Sequence, residues 1–432
     1  MRWLLLLPAL LAILGAWFAV RWYVGNTVAE YAPGVTEGGI DLASMAVRWA
    51  PGDPLTHWRL GTLEEKTFSA GNLAAAVSEY QEAVARSPND YRYWTELGRA
   101  LESAGDRDGS EKALRRAVDL APAYSHPRWY FGNLLFREGK LDEAFEQLGR
   151  AAESDDQMRP QVFDLAMRVF DGDIDQVAKV MQASTAVRLQ FAIYLVTVQR
   201  FSDALRMWGT ISAADRQVQP ALSKDMVQSL TQAKQFRAVL SVMHEVQADQ
   251  NLFVPEQIWN GGFESPLPKS NADTFGWVIN SRPAAQITSD TKAHNGRGSL
   301  RIVFKASSVL NNIEVSQTIA VEPGAQYRFE CYARTEGLVT ASTPILTIVD
   351  AVDGQVLATS KPLPTGTNDW ARVTLDFTTN PKHDGITIRF SRAACSETDI
   401  CPIFGSVWYD DFNLQRLGGP GSPRRDTGTV KR

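Results

Sequence analysis

The apolar positions of this chain follow two different periods, and the change falls at the segment Trp259-Asn260-Gly261-Gly262-Phe263-Glu264. Before it, apolar residues recur at helical spacing in blocks of about 34 residues, the pattern of stacked helix pairs. After it they alternate every second residue in short runs: Leu300, Ile302, Phe304; Tyr327, Phe329, Cys331, Ala333; Val373, Leu375, Phe377; Ile386, Ile388, Phe390. Turn signals such as Glu322-Pro323-Gly324, Asp353-Gly354 and Asp384-Gly385 separate the runs. Alternation of this kind predicts antiparallel strands with one buried face, packed as a two-sheet sandwich. The predicted fold class is therefore multidomain, an α-solenoid followed by a β-sandwich, behind an apolar N-terminal helix.

The helical half carries the motif Ala-Val-x-x-[Ala/Ser]-Pro at 46–51, 83–88 and 117–122, with Ala151 and Ala152 following in frame, at spacings of 37, 34 and 34 residues. A unit of that size cannot bury its apolar face alone and must stack on its neighbours. Within one block Trp94, Leu97, Gly98 and Leu101 make a first helix, Gly105-Asp106 breaks it, and Ala113, Leu114 and Ala117 line a second. The next block places Phe131, Gly132, Leu135, Gly139, Ala144, Leu148 and Ala151 where the tetratricopeptide repeat places them, and the half resembles that family. The resemblance implies a protein partner on the concave face. Repeats are expected over 38–158, and degenerate or capping helices over 159–252, where Phe191, Ala192, Leu195, Ala204 and Trp208 keep the spacing of one more unit. Three extra residues between Gly61 and Gly71 are expected as an added turn of the first helix in that block. Trp94, Trp129 and Trp208 are expected to pack in the core. Gly132 to Lys140 only loosely resembles a phosphate loop, since the spacing is wrong and no Ser or Thr follows the Lys.

Residues 3–20 form an uninterrupted apolar run between Arg2 and Arg21, with Trp22 and Tyr23 beyond. The length sits at the lower edge of a bilayer span, and residues 1–24 are expected as a signal anchor; a cleaved signal peptide is the competing reading. Either places the bulk of the chain outside the cytoplasm, with a single pass through a bacterial inner membrane as the expected location. The 432 residues are 44% hydrophobic and 22% charged, with a net charge of -5 and both signs interspersed, which argues against a nucleic-acid partner. The five histidines have no metal-ligand spacing, and a histidine-based metal site is not expected. Residues 417–432, with Arg424, Arg425, Lys431 and Arg432, are expected as a disordered basic tail.

The sandwich is expected over 255–416. An opening Asn260-Gly-Gly-Phe-Glu264, Trp277, Gly298-Ser-Leu-Arg-Ile302, Pro323-Gly324 before Tyr327, Trp370 before Val373, and a closing Trp408-Tyr-Asp-Asp-Phe412 resemble a carbohydrate-binding module of the family 4 and 9 type. That resemblance implies a jelly roll of the galactose-binding-like kind, and a polysaccharide ligand. Trp277, Trp370 and Trp408 stand at motif positions that are usually core in that family, so no sugar platform is assigned. Simple alternation along the closing strand puts Trp408, Asp410, Phe412 and Leu414 on one face, and a buried carboxylate there needs a cation or hydrogen-bond donors. Glu264 is its expected partner, because first and last strands usually meet. The resemblance implies a structural calcium held by Glu264 and Asp410, and backbone amides or an Arg are the alternative. Asp411 faces the other way. Cys395 and Cys401 can close a small disulfide loop in an exported protein, leaving Cys331 as a buried thiol.

No set of catalytic residues stands out in either half. A glycosidase needs two carboxylates flanking a sugar site on a catalytic domain, and the array and the sandwich leave no residues to build one. The expectation is a non-catalytic, membrane-anchored scaffold that binds a protein and a glycan in exopolysaccharide or cell-envelope assembly. The alternative is a protein adaptor whose sandwich binds no sugar.

Overall fold

The computed structural model describes residues 6–35, 38–181, 184–246, 253–268, 273–280, 285–305, 312–392, 395 and 401–417. The expected basic tail therefore lies outside the described residues except for Leu417. The chain divides into two compact units, Met1–Tyr194 and Leu195–Arg432.

The first unit is built of helix pairs: α1 (Leu6–Tyr31), α2 (Gly39–Trp49), α3 (Pro54–Glu65), α4 (Ala70–Arg86), α5 (Tyr91–Ser103), α6 (Arg107–Leu120), α7 (Ser125–Arg137), α8 (Leu141–Ser154), α9 (Arg159–Val169) and α10 (Ile174–Val180). Local sequence sets the helix starts. The side chains of Asp53, Ser69, Asp90 and Asp106 each accept a backbone N–H at the first turn of α3, α4, α5 and α6. Gly105, at φ 87°, turns the chain between α5 and α6 in a region where other residues are strained. Small residues then bring each pair together, as Gly98 faces Leu114 and Gly132 faces Leu148. The three extra residues of the early block do not lengthen α3, which has 12 residues against 13 in α5; they extend α4 to 17 against 14 in α6. Only Trp208 of the three solenoid tryptophans is fully buried, while Trp94 and Trp129 are half-buried.

The N-terminal helix differs from the expected span. It continues past residue 24 and docks its second half, where Ala29 is buried and Asn26 Nδ2 donates to Asp53 Oδ2 at 2.8 Å, and Ala32 just beyond its end is buried too. No helix among the described residues is long and apolar enough to cross a membrane. The described apolar run from Leu6 to Val20 rises about 22 Å, short of a hydrocarbon core of roughly 30 Å. Residues 1–5 lie outside the described residues.

Helix α11 (Thr185–Thr197) contains the division between units. The second unit then runs through α12 (Phe201–Gly209), α13 (Ala213–Val218), α14 (Pro220–Gln232) and α15 (Phe236–Val246) into the sandwich. Among the described residues its strands are β1 (Val278–Ile279), β2 (Ala285–Asp290), β3 (Ser299–Phe304), β4 (Asn312–Ala320), β5 (Gln326–Thr340), β6 (Pro344–Asp350), β7 (Val356–Thr359), β8 (Gly366–Thr378), β9 (Gly385–Arg392) and β10 (Ile403–Leu417). They form two antiparallel five-stranded sheets, ordered β1-β4-β9-β6-β7 and β2-β3-β10-β5-β8. The alternating residues read from sequence meet between the sheets, with Leu300, Phe329, Cys331, Ile388 and Phe390 all buried and Trp277 among them. The last helices belong physically with the sandwich. Asp384 accepts the Phe236 and Arg237 N–H groups at 3.0 and 2.8 Å, capping α15, and the Phe236 ring packs on Gly385. The composition change near residue 255 thus falls inside one compact unit.

Candidate functional site

In the solenoid, the first helices of successive pairs turn aromatic side chains toward one cavity of about 320 Å³. Leu55 and Trp58 come from α3, Tyr91, Tyr93 and Glu96 from α5, and His126 from α7. The ring of Tyr91 packs 5.1 Å from that of Tyr124, and His126 meets Tyr130 edge-on at 4.8 Å. Arg99 lies 4.9 Å from the Tyr130 ring and pairs with Glu96. Deeper between α3 and α4, His57 Nδ1 lies 2.6 Å from Glu79 Oε2. Burial, seconded by the charge on Glu79, pushes the carboxyl of neighbouring Glu64 up to about 7.

In the sandwich, the closing strand does not keep simple alternation. Its register to β5 slips between Asp410 and Asn413, and Asp411 sits at φ 52°. This bulge returns Phe412 and Leu414 to the core with Val407 and Tyr409, while Trp408 and Asp410 face outward. Asp410 is nonetheless 0% exposed, because a loop at 291–298 covers it. Its Oδ2 accepts the His294 and Asn295 N–H groups at 2.8 and 3.2 Å, and its Oδ1 accepts the Asp411 N–H at 2.7 Å. Burial raises its pKa, against the pull of these donors. Glu264 Oε1 takes the Arg297 and Gly298 N–H groups at 2.8 and 3.2 Å, at the other end of the same loop. The opening segment does meet the closing strand, through a Phe412 N–H bond of 2.9 Å to the Gly261 carbonyl. Both carboxylates expected to hold calcium accept backbone amides, the alternative stated for Asp410, while Asp410 Oδ1, with a single N–H donor, keeps a second lone pair. Asp411 pairs with His294, whose Nδ1 lies 2.6 Å away.

The sheet face above Asp410 carries the aromatics. Trp408, although buried, lies outside the core beneath Lys292 and Arg301, whose charged ends are 4.5 and 4.9 Å from its ring. Trp370 is half-buried on the same outer face, not in the core as its motif position implied. His294 stacks on Tyr332 with centroids 3.6 Å apart, and Trp370 meets His294 at 5.8 Å. Below the loop, Glu264, Ser289, Asp290 and Arg297 line a groove of about 790 Å³.

A second polar cluster sits on the other sheet, where β6 ends and β9 is about to begin. One ligand atom each from Asp350, Asp353 and His383 lies within 4.8 Å of the others, a set that can hold a metal ion. Asp350 Oδ2 is 2.9 Å from His383 Nδ1, and Asp350 Oδ1 accepts the Val352 N–H at 2.8 Å. A metal there would replace the proton shared along the imidazole-carboxylate contact, and the mixed nitrogen and oxygen donors differ from the all-oxygen shell of calcium. The argument against a histidine site rested on spacing along the chain, which says nothing about residues 33 apart that folding brings together. Cys395 and Cys401 are joined as a disulfide with Cα atoms 5.3 Å apart, and Cys331 is a buried free thiol.

Sequence reasoning passed over the groove aromatics, the Trp370, Tyr332 and His294 group, and Asp350, Asp353 and His383. For the groove, a signal was present: Trp58, Tyr91 and His126 stand on the first helices at positions outside the Gly and Ala pattern that packs each pair. For the other two groups there was none.

A repeat solenoid with an aromatic cavity, followed by a sandwich with an aromatic outer face, defines a modular binding protein. Residues 68–125 and 103–161 match the family described as tetratricopeptide repeat, and residues 255–396 match the family described as carbohydrate binding domain. The chain thus carries tetratricopeptide repeats over 68–161 and a carbohydrate-binding domain of the 4/9 type over 255–396. It is 29% identical over 98 residues to DnaJ homolog subfamily C member 3 of Homo sapiens, covering 23% of this chain and 19% of that protein. It is 27% identical over 90 residues to small glutamine-rich tetratricopeptide repeat-containing protein 2 of Mycosarcoma maydis, covering 21% and 26%. The chain spans about a quarter or less of the length of these curated relatives. Among solved structures, a MamA crystal structure shares 18% identity over 34% of this chain and 84% of its own, at TM-score 0.29. A CBM4 structure shares 15% over 37% and 99%, at TM-score 0.28. TM-scores this low carry no argument beyond the matches above.

Proposed function

We propose that this chain is a non-catalytic scaffold that holds a partner protein in the solenoid groove and a glycan on the sandwich. The groove lined by Trp58, Tyr91 and His126 carries this reading, because successive repeats turn one edge of half-buried Trp58 and Tyr91 and the exposed His126 ring to a single cavity. Open and aromatic, it suits an apolar or aromatic side chain of an extended peptide. The carbohydrate-binding-domain match supports the glycan half. In the same reading the scaffold acts outside the cytoplasm of a bacterium, in the assembly of an exopolysaccharide or an envelope polysaccharide. The disulfide at Cys395 and Cys401 supports export. Attachment to a membrane through the N-terminal segment is supported by the first half of α1, where Leu11, Ile13 and Phe18 are 60%, 68% and 64% exposed. The test is a photocrosslinking residue at Tyr91 of the full chain, compared with one at Val218, which is 75% exposed and remote from the groove residues in sequence. A crosslinked protein specific to position 91 and lost in Trp58→Ala is expected. Equal crosslinking at both positions would refute the groove as the binding site.

A further inference from the structure

Helix α1 changes character at Arg21. From Leu10 to Val20 every residue is apolar and exposed, which over about three turns leaves the helix without a polar side. From Arg21 onward the same unbroken helix packs into the solenoid as its first member. Arg21 donates to the Arg48 carbonyl at 2.8 Å, Asn26 bonds the side chain of Asp53, and Arg59 of α3 reaches the Ala32 carbonyl. Gly25 permits the approach, since a Cβ there would lie 2.6 Å from that of Ala50. Positions 26 and 32 meet positions 53 and 59 in that order, so α1 and α3 run the same way. The end of α2 and the start of α3 therefore lie beside the point where the exposed apolar half begins.

Aromatic and cationic side chains collect at that point. Trp22 and Tyr23 follow Arg21 on α1, Trp49 follows Arg48 on α2, and all three rings are exposed. Neither Arg21 nor Arg48 has a carboxylate partner among the described residues. Rings with an apolar body and a polar edge, beside unmatched cations, suit the headgroup layer of a membrane, where phosphates meet acyl chains.

We propose that residues 10–20 of α1 are seated in a phospholipid bilayer and that Arg21, Trp22, Tyr23, Arg48 and Trp49 form a collar in its headgroup layer. The solenoid then stands directly on the membrane, because α1 is at once its anchor and its first helix. This rests on the membrane attachment read above and adds the contact surface and the orientation.

The all-round exposure selects the occupant. A groove on another protein, or α1 of a second copy, covers one stripe of a helix, whereas acyl chains cover every side. The described apolar positions 6–20 reach about 22 Å, and a shortfall against the hydrocarbon core is met by local thinning of the bilayer and by interfacial Trp, Tyr and Arg. No loop separates anchor from array, so the collar fixes which end of the helix pairs faces the lipid. Phe68, exposed in the turn after α3, lies roughly 17 Å further from the collar along that helix.

The experiment places a fluorophore on the full chain, reconstituted in phosphatidylcholine and phosphatidylglycerol vesicles, through Trp49→Cys or Phe68→Cys. Cys331 is buried and Cys395 is bonded to Cys401, so the introduced thiol takes the label alone. Vesicle flotation reports attachment, and quenching by lipids carrying a nitroxide on the headgroup reports depth. The expected result is flotation of both variants, with quenching at position 49 and its loss at position 68. Should Trp49→Cys fail to fold, Arg48→Cys on the same exposed turn takes its place. Flotation with equal quenching at the two positions, or with none at 49, overturns the collar and leaves membrane attachment standing. A chain that does not float, whether single or paired with a second copy through α1, overturns the attachment and this inference with it.

Discussion

Gly132 offers a direct test of how the repeat helices are held together. A Cβ added there would lie 2.7 Å from Leu148 Cγ, 3.0 Å from its Cδ2 and 3.1 Å from the Ala144 carbonyl oxygen. Carbon atoms normally pack at about 3.5–4.0 Å, so the new methyl overlaps its neighbor by nearly an ångström. Leu148 cannot swing clear, being 0% exposed in the center of the pair. Overpacking of this kind costs about 1–3 kcal/mol, and the better helix propensity of Ala returns up to about 1 kcal/mol. Gly132→Ala should therefore destabilise the solenoid by about 1–2 kcal/mol. Gly71→Ala is the control, since nothing lies within 4 Å of its added Cβ and only the propensity gain remains. The assay is urea unfolding of the full chain followed by far-ultraviolet circular dichroism, comparing midpoints because a chain with two compact units need not unfold in one step. In a double-mutant cycle, Leu148→Ala should make room for the methyl and give a coupling of at least about 1 kcal/mol. A Gly132→Ala midpoint equal to or above that of Gly71→Ala would refute the close-approach argument.

Three further outcomes follow from the geometry. Glu64, raised from 4.5 to about 7, keeps its proton more readily folded than unfolded, so its contribution favours the fold below pH 4.5 and is lost as pH rises through 7. Glu64→Gln should thus stabilise at pH 8 and change little at pH 4, by about 1–2 kcal/mol once its partial exposure is discounted, as thermal melts at the two pH values would show. Asp384→Ala removes the cap of α15 and should cost about 1 kcal/mol, with faster amide exchange concentrated at Phe236 and Arg237; unchanged exchange there would contradict the docking of α15 on the sandwich. If Asp350, Asp353 and His383 hold a metal ion, equilibrium dialysis should find zinc retained by the wild type, lost in His383→Ala and weakened at acid pH; retention by the variant would place the metal elsewhere.

The fold was legible where packing repeats. Gly98 and Gly132 mark the close approach of each helix pair, and the strand runs ending in Phe304, Phe377 and Phe390 mark the core between the sheets. It was less legible where one local event changes direction. Alternation failed at Asp410 because a non-glycine residue, Asp411, takes a left-handed conformation that no residue type signals reliably. The extra turn went to α4 because Ser69 caps it early, which the spacing of apolar residues does not reveal. Contacts between distant segments were beyond reach altogether. Asp384 lies 148 positions from the Phe236 N–H it caps, and Asp410 lies 116 from His294. The aromatic face fared similarly: Trp370 sits at a position that its family motif assigns to the core, and only the register of β8 turns it outward.

The central claim is that one chain carries two separate binding faces, the solenoid groove for a protein and the sandwich for a glycan. The most direct measurement sets Trp58→Ala and Trp370→Ala against both readouts, crosslinking at Tyr91 and retardation in native gels containing polysaccharide. The account predicts that Trp58→Ala loses the crosslink and keeps the retardation, and that Trp370→Ala does the reverse. Either variant abolishing both readouts while folded, or neither variant affecting its own, would contradict it.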